Sequence, residues 1–220
     1  MFRATSRRWA VLVLMALLVA TSVSAVAEPL SPAERMKLQK QATDLNAQAV
    51  QSYRAGQPAE AVRLARQVLL IREQLYSVGD YPDGHADLAS SLNYLGFFLI
   101  ANDEHGKALP YYEKALAMRK RLYPPDKYRA GHADLATSLY NLGYLLHAMG
   151  EYGKALPYYE QALAMRERGY SPDKFKNGHR DVATSLSNLG ILLQAMGEYG
   201  KAQLYYEKAL AMFERLYPPD

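Results

Sequence analysis

The sequence predicts an all-α fold, a solenoid of stacked helix pairs behind an N-terminal export leader, and three observations carry that expectation. Gly84, Gly131 and Gly178 each open a copy of one pattern, and successive copies lie 47 residues apart without a gap. Each copy divides into two amphipathic helix patterns separated by a glycine and followed by a turn-rich linker, as in GHADLATSLYNLGYLLHAMG and EYGKALPYYEQALAMRERGYSPDKFKN. A helix pair recurring at a fixed period of this length cannot bury its apolar face alone, so stacking of neighbours must create the core. With 220 residues, half of them hydrophobic, the chain can enclose such a core.

The first 27 residues have the three parts of a secretory signal: a basic start through Arg8, an apolar run from Ala10 to Ala20, and small residues ending in Ala25-Val26-Ala27. Cleavage is expected after Ala27. Trp9 to Ala27 is an uncharged stretch about long enough to span a bilayer, so an uncleaved inner-membrane anchor facing the periplasm is the alternative. Either way the positive flank places the remainder, residues 28–220, outside the cytoplasm, periplasmic or secreted. Arg3, Arg7 and Arg8 hold three of the 26 basic residues, which leaves 23 against 22 acidic ones in the body. A net charge near +1 gives no electrostatic argument for nucleic acid. The absence of cysteine excludes disulfides, thiolate metal ligands and a lipoprotein attachment site.

Ser31 is placed to cap a first helix with Pro32 at its first position, running to about Arg54. Gly56-Gln57-Pro58 ends it, and a second helix extends to about Tyr76. This N-terminal pair is a weaker fourth copy in the same register, with Ala42, Arg72, Leu75 and Tyr76 standing where Ala89, Arg119, Leu122 and Tyr123 stand in the next. In the third copy Leu139, Leu142, Gly143 and Leu146 keep helical spacing on the first helix, as do Ala155, Tyr159 and Ala162 on the second. A glycine in mid-helix costs about 1 kcal/mol relative to alanine, and close approach of the partner helix is the reason expected for Gly143. Pro110 and Pro157 fall inside the second helices, where proline removes a hydrogen bond and bends the axis; Leu204 takes that register in the last copy.

Leu139, Leu142-Gly143, Leu146, Gly150, Ala155, Tyr159 and Ala162 resemble the position pattern of the tetratricopeptide repeat (TPR), and HADLATSLYNLGYLLHAMGEYGKALPYYEQALAMRER is similar to its kinesin-light-chain subtype. The resemblance covers units of about 42–76, 89–123, 136–170 and 183–217, and implies a right-handed α-solenoid of four TPR helix pairs. The period exceeds the usual ~34 residues, and Glu167 stands where the family has a helix-ending proline. The second helices are therefore expected to continue to about Tyr123, Tyr170 and Tyr217.

His85 and Asp87, His132 and Asp134, and His179 and Asp181 are metal-ligand types, but each pair supplies two ligands and copies lie at least a helix diameter apart. They are expected instead in the first helical turn, where Asp favours the unpaired N–H groups. Arg119, Arg121, Arg166 and Arg168 are expected at second-helix ends, meeting the negative dipole end. Tyr112, Tyr159 and Tyr206 take the packed aromatic position, and Tyr111, Tyr158 and Tyr205 are neighbours at the surface. Ser91, Ser138 and Ser185 lie in helix patterns, and no phosphate loop or nucleophile elbow is present, so no enzymatic role and no cofactor are expected.

In TPR proteins the inner, concave surface made by first helices takes a peptide or a partner helix, and the resemblance makes that surface the candidate site. Its stripe contains Asn46 and Tyr53, then Asn93 and Phe97, then Tyr140, Tyr144 and His147, then Ile191 and Gln194, with Asn141 and Asn188 flanking. This uncharged, aromatic and amide-bearing wall suits apolar side chains and peptide hydrogen bonds. The positions that carry Lys or Arg in carboxylate-clamp TPR domains hold Thr43, Ser90, Thr137 and Thr184, and Ala47, Tyr94, Asn141 and Asn188, which argues against capture of a chain terminus. Leu216-Tyr217-Pro218-Pro219-Asp220 repeats Leu122-Tyr123-Pro124-Pro125-Asp126, so the chain ends where another unit would begin. Either a longer parent is truncated or the open end is a self-association surface. The expected function is an exported, non-catalytic scaffold for a protein or peptide, the alternative being the sensing or regulatory arm of a larger or separate enzyme.

Overall fold

The structure is a computed structural model that describes residues 30–171 and 173–218; the expected leader and its cleavage point lie outside the described residues. Met1–Glu34 forms one unit and Arg35–Asp220 a second. Among the described residues there are eight helices and no strand: α1 (Pro32–Arg54), α2 (Pro58–Leu75), α3 (Ala86–Ala101), α4 (His105–Leu122), α5 (Ala133–Ala148), α6 (Tyr152–Gly169), α7 (Arg180–Ala195) and α8 (Tyr199–Leu216). Ser31 begins α1 as expected, its Oγ accepting from the Glu34 N–H at 3.3 Å while its own N–H donates to Glu34 Oε2 at 2.8 Å, a capping box. The second helices end one residue before the expected tyrosines, which become their C-caps. Pro110 and Pro157 lie inside α4 and α6, yet these helices have the same 18 residues as α8, which has Leu204 there; both prolines sit on the solvent side and end nothing.

From α2 onward, consecutive helices pack on one another. The core is a ladder of aliphatic side chains at helical spacing: Leu88, Leu92, Leu95 and Leu99 on α3, Leu135, Leu139, Leu142 and Leu146 on α5, and Val182, Leu186, Leu189 and Leu193 on α7, all buried. Each such side chain withdrawn from water contributes about 2 kcal/mol. Within a pair, the second helix lays a tyrosine ring against a glycine of the first. A Cβ on Gly96, Gly143 or Gly190 would stand 2.6, 2.9 or 2.8 Å from the ring of Tyr112, Tyr159 or Tyr206. Close approach is therefore what Gly143 serves, and the approaching group is the ring itself.

The linkers share a second device. Gly131, at φ 85°, turns the chain where the side chain of Met165 fills the space a Cβ would need. The following His132 lies flat on Tyr123, with ring centroids 3.5 Å apart, and its Nδ1 accepts the Asp134 N–H at 3.2 Å. His85 on Tyr76 and His179 on Tyr170 repeat both contacts. The histidine is thus the N-cap, and Asp87, Asp134 and Asp181 lie in the first turn as expected. Asp87 also accepts from Arg72 at 2.6 Å and from the Tyr76 hydroxyl at 2.9 Å across the linker.

These contacts predict opposite outcomes for two glycines. Gly143→Ala gains helix propensity but overpacks the buried Tyr159, a cost of about 1–3 kcal/mol that outweighs it. Gly153→Ala on α6, where a Cβ meets nothing within 4 Å, should instead stabilise by about 0.5 kcal/mol, and urea melts compare the two. The His85 cap predicts a dependence on pH. Burial, helped by Arg72 and opposed by Asp87, holds the His85 pKa below its ordinary value, and Tyr76 and Tyr81 enclose the ring. A proton on Nδ1 removes the capping acceptor, so the unfolded chain binds protons first and stability is complete above about pH 6.5 and lost as pH falls toward the lower folded pKa. Replacing His85 with Asn, a cap that does not titrate, should flatten that slope in thermal melts between pH 7 and 5.

Candidate functional site

The face made by α3, α5 and α7 is built from the junction between pairs. Arg119 lies in the last turn of α4, as expected, and is only 4% exposed. Its guanidinium donates to the Asp134 carbonyl at 2.7 Å, to Ser138 Oγ at 2.9 Å and to Ser90 Oγ at 3.1 Å, tying α4 to both flanking first helices. Arg166 does the same at the next junction, donating to Ser185 Oγ at 2.6 Å and to the Asp181 carbonyl at 3.2 Å. Burial lowers both guanidinium pKa values, against the pull of the nearby aspartate and tyrosines. Arg72 alone of the three meets a carboxylate, that of Asp87. Ser138 and Ser185 are buried acceptors for these arginines, so the helical serines are structural latches.

The expected groove residues divide into two groups. Tyr53, Phe97, Tyr144 and Ile191 stand between 39% and 45% exposed, with Tyr53 edge-on to Phe97 at 4.9 Å. Gln194 is also exposed and accepts from the Tyr206 hydroxyl at 2.8 Å. The amides are largely engaged within the fold. Asn93 is buried, its amide donating to Ser138 Oγ at 2.9 Å and to the Ala89 carbonyl, and Asn141 reaches Asn93 Oδ1 at 3.4 Å. Asn188 donates to the Tyr140 hydroxyl at 2.6 Å and to the Thr184 carbonyl at 3.0 Å. The Tyr140 ring lies over the Arg166 guanidinium, 4.8 Å from its centroid, and burial raises its hydroxyl pKa. His147 is half-buried beside Tyr152 and Tyr159, and burial lowers its pKa. Asn46 lines a small cleft of about 200 Å³ with Thr43 and Arg72.

At the junction of α3 and α5, three of the expected residues, Asn93, Phe97 and Asn141, come together around a cleft of about 360 Å³. Ser90, Tyr94, Arg119, Asp134 and Thr137 complete its wall. Tyr94, Arg119 and Asp134 were not assigned to the groove from sequence. The signal that could have found Arg119 is its recurrence in one register, as Arg72, Arg119 and Arg166, each 19 residues before Ser91, Ser138 and Ser185.

The histidine and aspartate pairs have roles as caps and latches. Among the described residues no helix is long and apolar enough to cross a membrane.

A family model described as a tetratricopeptide repeat matches residues 87–168 and 174–215, and a second of the same description matches residues 49–87. No curated protein sequence matches the chain. Among solved structures, BtubC (BKLC) from P. vanneervenii superposes with a TM-score of 0.67 at 21% identity, over 97% of this chain and 76% of that one. Aspartyl phosphate phosphatase F from Bacillus subtilis gives 0.64 at 17% identity over 82% of this chain and 42% of that one. A Rap protein complexed with Competence and Sporulation Factor gives 0.61 at 20% identity over 81% and 44%. The chain thus spans three quarters of the first of these and under half of the other two, and at such identities the likeness is one of fold. The repeat register, the glycine and tyrosine contact within each pair and the family models together place this chain in the tetratricopeptide repeat family.

Proposed function

We propose that this chain is an exported, non-catalytic scaffold that holds a protein or peptide partner on the face made by its first helices. The observation that carries the reading is the row Phe97, Tyr144 and Ile191, one residue in each of the last three pairs at a fixed 47-residue interval, each exposed on a helix whose other large apolar side chains are mostly buried. Aromatic and aliphatic side chains held on a rigid helical wall are the kind of anchors that dominate interface energies. The surrounding amides and arginines make most of their hydrogen bonds within the fold, so such a partner would be gripped by apolar contact more than by charge. A Rap protein of the same fold is complexed with a factor, which supports this by analogy of fold alone.

Affinity capture with the tagged full chain tests it. Phe97→Ala, Tyr144→Ala and Ile191→Ala combined should weaken binding of any captured protein at least about thirtyfold, the effect of one anchor of about 2 kcal/mol. Leu70→Ala, on an exposed outer position of α2, should leave it unchanged. Equal capture by the triple variant and the parent would defeat the proposal. Export rests on the leader; mass analysis of protein recovered from outside the cytoplasm should find a chain beginning at Glu28, and an intact N-terminus would favour the anchored alternative.

A further inference from the structure

The junctions between successive pairs follow one plan, but they are filled differently. At the junction of α6 and α7 the chain supplies its own occupant: Tyr140 covers the Arg166 guanidinium, and its hydroxyl accepts from Asn188 at 2.6 Å. One repeat earlier, Arg119 and Asn141 hold the positions of Arg166 and Asn188, while Asn93 holds that of Tyr140. Asparagine lacks the ring. Its amide turns to Ser138, and the space beside Arg119 is the cleft of about 360 Å³. A void of about 150 Å³ is enough to admit a benzene ring, so this one accommodates a phenol with room for its entry.

The amide beside the cleft is less engaged than its counterpart one repeat on. Arg119 itself is bonded within the fold, with three hydrogen bonds against two for Arg166, and its Nε, like that of Arg72, has no hydrogen-bond partner among the described residues. Asn141 donates to Asn93 over 3.4 Å, a long bond that costs little to exchange, whereas Asn188 holds its phenol at 2.6 Å. Tyr94 and Phe97 supply an apolar rim.

We propose that the cleft over Arg119 receives an aromatic side chain of the partner, a tyrosine by preference, seated as Tyr140 is seated over Arg166. The ring face meets the guanidinium, the edges meet Tyr94 and Phe97, and the hydroxyl oxygen accepts from Asn141 Nδ2. The internal tyrosine is the template for the external one. This assignment deepens the reading of the first-helix face as a partner site and names the side chain that face selects.

The test uses p-cresol, the tyrosine side chain as a free molecule, with toluene as its counterpart lacking the hydroxyl, on the full chain by ligand-observed NMR. The expected result is saturable p-cresol binding, about fivefold tighter than toluene, the size of one hydrogen bond. Asn93→Tyr should fill the cleft from within, abolish that binding and raise the thermal midpoint by a few degrees. Asn141→Ala should leave ring binding but erase the preference for p-cresol. Absence of saturable binding, or binding that persists in Asn93→Tyr, would overturn the assignment. If p-cresol binds while the Phe97, Tyr144 and Ile191 variant captures partners normally, the cleft stands and the wider partner reading falls. Capture lost in that variant, with no p-cresol site, sinks the cleft and leaves the wider reading standing.

Discussion

The contact on which the rest of this structure depends is the tyrosine ring laid against a bare helix backbone. Gly96, Gly143 and Gly190 leave no side chain where Tyr112, Tyr159 and Tyr206 approach, and each ring would lie within 3 Å of a Cβ placed there. That clearance sets how closely the two helices of a pair can lie, and hence how far the aliphatic ladders on the first helices interdigitate with their neighbours. A helix glycine is locally unfavourable, yet the loss of about 1 kcal/mol is small beside the burial of a whole aromatic ring. Tyr112 and Tyr159 are fully enclosed because a further pair covers them, whereas Tyr206 in the last pair is half-buried.

Between pairs the constraint is different in kind. A buried guanidinium at the end of a second helix reaches the serine and the first-turn carbonyl of the next first helix, so the offset between pairs is tied by directional bonds as well as by apolar contact. In the last copy Phe213 replaces that arginine, and Leu210 is 59% exposed where its equivalent Leu163 is 6% exposed. The outward face of the final pair is therefore apolar and lacks the polar latch used at the earlier junctions. The same latch shapes the candidate site: by engaging Asn93, Asn141 and the arginines within the fold, it leaves Phe97, Tyr144 and Ile191 as the groups that face outward.

Much of this is legible in the chain itself. The 47-residue register, the helix boundaries set by Ser31, the linker glycines and the capping tyrosines, and the reason for Gly143 all follow from local geometry, because a repeat brings the same residues to the same environment each time. The first-helix stripe is legible for a related cause, since helical angles fix which positions share a face. The parts that are not legible involve partners far apart in sequence. Position on a helical wheel does not show that Asn93 is drawn inward to Ser138, or that Arg119 is folded into the junction instead of lying at the surface.

The sequence by itself therefore determined the class of fold, the number of pairs, the close approach at the mid-helix glycine and the positions that share a first-helix face, because these depend on spacing along the chain. Only the tertiary structure decided which polar side chains on that face remain free. Arg119, Asn93 and Asn141 meet across junctions 19 to 48 residues apart, where bond distance and burial, not periodicity, settle whether a group serves the fold or is left open beside a cleft.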